Sequence, residues 1–94
     1  MRKYEALFIL VPHIDEETKK GIIKKFEDIV NADGQVTKVE EMGNKKLAYE
    51  IQKLREGYFV LLEFNGNTTL PKELERNFRI TDEVIRYVIS NVEK

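Results

Sequence analysis

Two short stretches limit what this chain can become. Residues 57–64 and residues 6–11 are apolar at nearly every position. Their aromatic and branched side chains suit a pleated strand, and both are too short for a useful helix. Neighbouring side chains in a strand point to opposite faces. Tyr58, Val60, Leu62 and Phe64 therefore share one face, with Phe59, Leu61 and Glu63 on the other. By the same rule Ala6, Phe8 and Leu10 oppose Leu7 and Ile9. A strand that is apolar on both faces is normally covered on both. The rest of the chain has to supply two covers.

The pattern along the chain shows what is available. Residues 2–11 read as a first strand, stopped by Pro12, which cannot donate to a ladder. Asp15 is a good helix N-cap, with Glu16 and Glu17 in the first turn where the helix dipole favours negative charge. Thr18, Ile22, Ile23, Phe26, Ile29 and Val30 make an apolar stripe at helical spacing. Gly34 is expected to end that helix as a left-handed cap. Residues 36–51 read as a long strand, with a bulge or kink expected at Gly43. Leu47, Tyr49 and Ile51 alternate there with Lys46, Ala48 and Glu50. The polar residues 52–56 turn the chain into the strand at 57–64. Leu70, Leu74 and Phe78 then mark a short helix with Pro71 in its first turn. In the last strand, residues 84–92, Ile85, Tyr87 and Ile89 are expected to face one way, opposed by Val84, Arg86, Val88 and Ser90.

This order, β-α-β-β-α-β, is that of an α+β ferredoxin-like sandwich: a four-stranded antiparallel sheet with both helices on one face. Its first and third strands are central, and they are the two that read as apolar on both sides. The chain therefore runs short of cover. Two helices shield the face carrying Phe8, Val60, Leu62 and Ile89. Nothing is left for Leu7, Ile9, Ala48, Phe59, Leu61 and Val88, and a contiguous exposed apolar patch marks an interaction surface. These six residues are the candidate partner-binding set.

Composition narrows the function. At 94 residues the chain is expected to form one domain over residues 1–94. It has no cysteine, which excludes disulfides and thiolate metal sites and fits a reducing, cytoplasmic setting. No apolar run approaches a membrane span, and no signal-peptide pattern opens the chain. Sixteen Lys and Arg against seventeen Asp and Glu leave a net charge of −1, too little positive charge to hold nucleic acid unaided. His13 is the only histidine and sits beside Pro12 in a turn. No Gly-rich loop opens either helix, and no spacing of metal ligands exists. Neither a catalytic site, a cofactor, a metal nor a small-molecule substrate is expected. Gly57-Tyr58-Phe59-Val60 approaches an RNA-recognition strand but lacks the small residue between its aromatics, so Tyr58 and Phe59 point apart.

Several segments together resemble one family. Arg2-Lys3-Tyr4-Glu5, the run from Val39 through Gly43, Lys45, Lys46, Leu47, Ala48 and Tyr49 to Ile51, then Gly57-Tyr58-Phe59 and Arg79-Ile80-Thr81-Asp82 with Arg86, follow the order and spacing of the bacterial small-subunit ribosomal protein number six family. The resemblance implies a non-enzymatic component of the small ribosomal subunit. It further implies binding to the central domain of the small-subunit ribosomal RNA together with ribosomal protein number eighteen. Matching positions make Arg2, Lys45, Lys46, Arg79 and Arg86 the expected RNA or partner contacts, supported by Tyr4. A homo-oligomeric regulatory module using the same open face is the alternative that the residues leave open.

Overall fold

In a computed structural model that describes residues 2–92, β1 (Arg2–Leu10) leads into α1 (Glu16–Asp33), β2 (Gly34–Ile51), β3 (Leu54–Gly66), α2 (Leu70–Ile80) and β4 (Val84–Asn91). The four strands form an antiparallel sheet in the order β2-β3-β1-β4, so the two doubly apolar strands are the central pair. Both helices pack on one face.

Local chemistry explains the helix starts. The Asp15 carboxylate accepts from the Thr18 backbone N–H at 3.4 Å, satisfying a donor that the first turn leaves without a helical partner. Hydrogen bonding from Thr18, its side chain first and this backbone N–H second, holds the Asp15 carboxyl below its ordinary range. Thr69 precedes α2 without capping through its own side chain. Asn67 does the work instead: its Oδ1 accepts from the Thr69 and Leu70 N–H groups at 3.0 and 3.1 Å. At the far end of α2, the Thr81 hydroxyl donates to the Asn77 carbonyl at 2.7 Å and closes the last turn.

The core lies between the helices and one sheet face. Phe8, Phe26 and Phe78 meet with ring centroids 4.6–5.2 Å apart, around Ala6, Leu10, Val60, Leu62 and Leu74. Edge-on and tilted ring contacts of this kind add about 0.5–1.5 kcal/mol per pair to the area they bury. Cutting one of these rings to alanine would cost about 3–5 kcal/mol.

Some features depart from the expected regular pattern. Gly34 is not a left-handed cap: at φ −164° and ψ −149° it is extended and already belongs to β2. Glycine is needed there because a Cβ would collide with the Asn65 carbonyl oxygen on β3. Gly43, at φ +87°, is the bulge that the sequence predicts, and Met42 is the extra residue between the pairs Glu41↔Val60 and Gly43↔Phe59. A further bulge lies where β1 meets β4, since Ile9 faces Arg86 while Leu10 faces Val84. Ile85 is skipped, and Val84 rather than Ile85 joins Tyr87 and Ile89 against the core.

Candidate nucleic-acid and partner interface

The face opposite the helices is built by register. Leu7 stands between Leu61 on β3 and Val88 on β4, with Glu40 of β2 beyond Leu61. One pleat period toward the start of β1, Glu5 lies between Glu63 and Ser90, and Lys38 faces Glu63. One period the other way come Phe59, Ile9 and Arg86. The result is an apolar band with an acidic margin at one end and Arg86 at the other. Lys38 sits 3.3 Å from Glu40 and offsets part of that margin. Val88 is 51% exposed, and Leu7 and Leu61 are half-buried.

The band is not bare along its whole length. Ile9 is only 6% exposed, and Phe59 is half-buried. This corrects the expectation that the chain has nothing to place over them. Between the pairs Lys46↔Glu56 and Ile51↔Leu54, residues 47–50 of β2 face the single residue Arg55 of β3. The surplus bows over the sheet. Leu47, Ala48, Tyr49 and Ile51 come to line a cleft of about 250 Å³ whose floor is Ile9 and Phe59. The alternation expected at 46–51 fails here, because Ala48 and Leu47 both border this cleft. Arg86 reaches from the opposite edge strand to donate to the Tyr49 hydroxyl at 3.3 Å, with its guanidinium 5.9 Å from the ring centroid.

The expected RNA residues do not form one patch. Lys45 and Lys46 are exposed on β2 opposite Gly57 and Glu56, at the same end of the sheet as Arg86. Arg2 is at the other end, paired with Gly66 and about 23 Å from the Ile9 level at ~3.3 Å per residue. Arg79 belongs to the helix side. Its Nε donates to the Tyr87 hydroxyl at 3.0 Å, which raises its pKa further, and its guanidinium lies 3.6 Å from Glu75. Tyr4 is buried at 6% exposure and stacked on Phe64 with centroids 5.6 Å apart. It alternates with Ala6 and Phe8 toward the helices, so it is a core residue and presents no ring to a base.

Two further cations, Lys53 and Arg55, stand near the expected ones. The turn between β2 and β3 is only Gln52 and Lys53, at φ +51° and +67°, and β3 starts at Leu54 rather than 57. Lys53 and Arg55 therefore join Lys45 and Lys46 around the hairpin end, with Arg55 and Lys46 lining a second cleft of about 440 Å³. Such turns favour Asn and Gly, and Gln-Lys carries none of that signature. The base of the hairpin is pinned elsewhere. His13 Nε2 lies 2.8 Å from a Glu56 carboxylate oxygen. On the helix side the Tyr58 hydroxyl donates to Glu41 at 2.6 Å, beneath the Lys19 ammonium 3.9 Å from its ring centroid. Desolvation, then the Glu41 hydrogen bond and charge, push the Tyr58 hydroxyl up to about 12. Among the described residues, no three His, Asp or Glu side chains gather as a metal site, and no helix is long and apolar enough to cross a membrane.

Fold and face together define a small ferredoxin-like protein with one sheet face packed and the other partly open. Comparison with known proteins makes the class specific. The family model described as "Ribosomal protein S6" matches residues 3–91. The "Small ribosomal subunit protein bS6" of Clostridium novyi is 52% identical over 95 residues, and that of Alkaliphilus oremlandii 47% identical over 94, each covering 100% of both chains. A crystal structure of the 30S ribosomal protein S6 from Thermotoga maritima superposes with a TM-score of 0.90 at 35% identity, covering 96% of this chain and 86% of that one. The chain belongs to the ribosomal protein S6 family. It is a structural, non-enzymatic protein of the small ribosomal subunit, located in the cytoplasmic ribosome.

Proposed function

We propose that residues 1–94 act as one domain that binds the central domain of the small-subunit ribosomal RNA jointly with ribosomal protein number eighteen. The observation that carries this reading is the band of Leu7, Leu61 and Val88 on the open sheet face, bordered by Glu5, Glu40 and Glu63. Apolar contact would supply the affinity, and the carboxylates would favour a basic partner over an acidic one. Ile9, Phe59 and Ala48 extend the partner surface toward the hairpin. Arg2, Lys45, Lys46, Arg79 and Arg86 contact phosphate, which positions the complex without reading sequence. Tyr4 is left out of the contacts because it is buried.

A net charge of −1 supports joint rather than solitary RNA binding. The test is a titration of central-domain RNA with this chain alone, with the basic partner alone, and with both. Tight binding only by the pair is the expected result. Equal RNA affinity with and without the partner would refute joint binding. Self-association by sedimentation, with no affinity for the partner, would turn the reading toward a homo-oligomer.

A further inference from the structure

We infer that residues 47–50 form a displaceable strap over the Ile9–Phe59 floor, latched by Tyr49 on Arg86, and that a protein docking on the open face must push it aside. The inference rests on the proposed pairing with ribosomal protein number eighteen. Three features support it. The strap is surplus strand, since residues 47–50 are matched by Arg55 alone, so side chains rather than a regular ladder hold it down. It borders what a docking protein would want: Leu47, Ala48 and Tyr49 wall the cleft above Phe59 and Ile9, which is buried there and packs over Gly57 as well, while Val88 farther along the same face is 51% exposed. The latch spans the sheet from one edge strand to the other, yet consists of one 3.3 Å hydrogen bond and one guanidinium–ring contact at 5.9 Å.

Tyr49 remains 65% exposed, so the latch is solvent-bathed and easily exchanged. The strap starts where the ladder breaks after the pair Lys46↔Glu56, and it ends just before the two-residue turn at Gln52 and Lys53. Tyr49 is therefore a positioning residue. It sets how much of the apolar band is available and where the Arg86 guanidinium points.

The experiment measures binding of purified ribosomal protein number eighteen, without RNA, to the full chain and to Tyr49→Ala, Arg86→Ala, the double variant and Tyr49→Phe. A latch worth one exposed cation–π contact should be closed in most free molecules. Its removal should tighten binding about two- to fivefold, mainly through faster association. The two single variants should give the same gain, and the double variant no more than either. Tyr49→Phe keeps the ring over the guanidinium and should stay close to the unmodified chain. In the absence of partner, the Ile9 methyl and Arg86 Nε–H resonances should shift in Tyr49→Ala and not in Tyr49→Phe.

Equal or weaker binding by Tyr49→Ala overturns the strap while leaving the pairing intact. Unmoved Ile9 and Arg86 resonances in Tyr49→Ala overturn it without reference to any partner. If neither the unmodified chain nor any variant binds the partner, the pairing itself fails, and the competition with it.

Discussion

Replacing Gly34 and Gly21 by alanine, one at a time, should move stability in opposite directions. A Cβ on Gly34 would collide with the Asn65 carbonyl oxygen, and would lie 3.0 Å from Leu70 Cδ2 and 3.1 Å from Gly66 Cα. Two of those three obstacles are backbone. Gly34 and Gly66 face each other in the β2–β3 ladder, so relief requires that ladder to open. Overpacking typically costs about 1–3 kcal/mol, and an obstacle that cannot rotate away puts Gly34→Ala at about 3. Gly21 lies within α1, exposed, with nothing within 4 Å of the position its Cβ would take. There alanine gains about 0.5–1 kcal/mol, because it lowers the entropy of the unfolded chain at no steric cost.

At about 4–8 °C per kcal/mol for a domain of this size, Gly34→Ala should lower Tm by about 12–24 °C. Gly21→Ala should raise it by a few degrees. Urea unfolding should report the same signs with an unchanged slope. Gly34→Asn separates close approach from a left-handed cap. Asparagine tolerates positive φ, so it would be milder than alanine if the position were a cap. In the extended geometry it collides as alanine does, and a marked rescue by asparagine would refute the argument. So would a neutral Gly34→Ala.

Replacing Lys45 and Lys46 together by alanine should leave stability within about 0.5 kcal/mol and reduce the slope of log affinity against log salt for RNA by about 1.4–1.8, as loss of two phosphate contacts requires. An unchanged slope in a filter-binding titration removes the pair from the RNA contacts. Val88→Asp, on the exposed part of the band, should abolish partner binding at a small cost in Tm, whereas Phe59→Asp, beneath the strap, should lose stability as well. Retained calorimetric affinity in Val88→Asp would move the docking surface elsewhere. The Tyr58 hydroxyl, raised from its ordinary 10.0 to about 12, stays protonated longer in the folded chain than in the unfolded one. Its contribution is therefore complete below pH 10 and lost as pH rises to 12, by at most about 2–3 kcal/mol and by about 1 once its part exposure is allowed for. Urea midpoints should fall more steeply with pH in this range for the unmodified chain than for Tyr58→Phe, and parallel curves would contradict the assignment.

The number, order and type of the elements were legible in the sequence. So was the unequal covering of the sheet, because strand and helix periods belong to one segment and can be read from its own side chains. Asp15, the stripe through Ile23, Phe26 and Val30, the glycine bend at 43 and the divergence of Tyr58 from Phe59 are all of that local kind. What escaped depended on a second strand. The bulge that puts Val84 rather than Ile85 on the core exists only in the pairing of β4 with β1. The reason for a glycine at 34 is an oxygen on β3, thirty-one positions away in sequence. Tyr4, expected from resemblance to support the RNA contacts, instead stacks in the core on Phe64 of the neighbouring strand. The strap at 47–50 came from a mismatch in length between two strands joined by a turn without the usual turn residues. Periodicity tells a residue which way it points. Only the pairing of strands decides what it meets there.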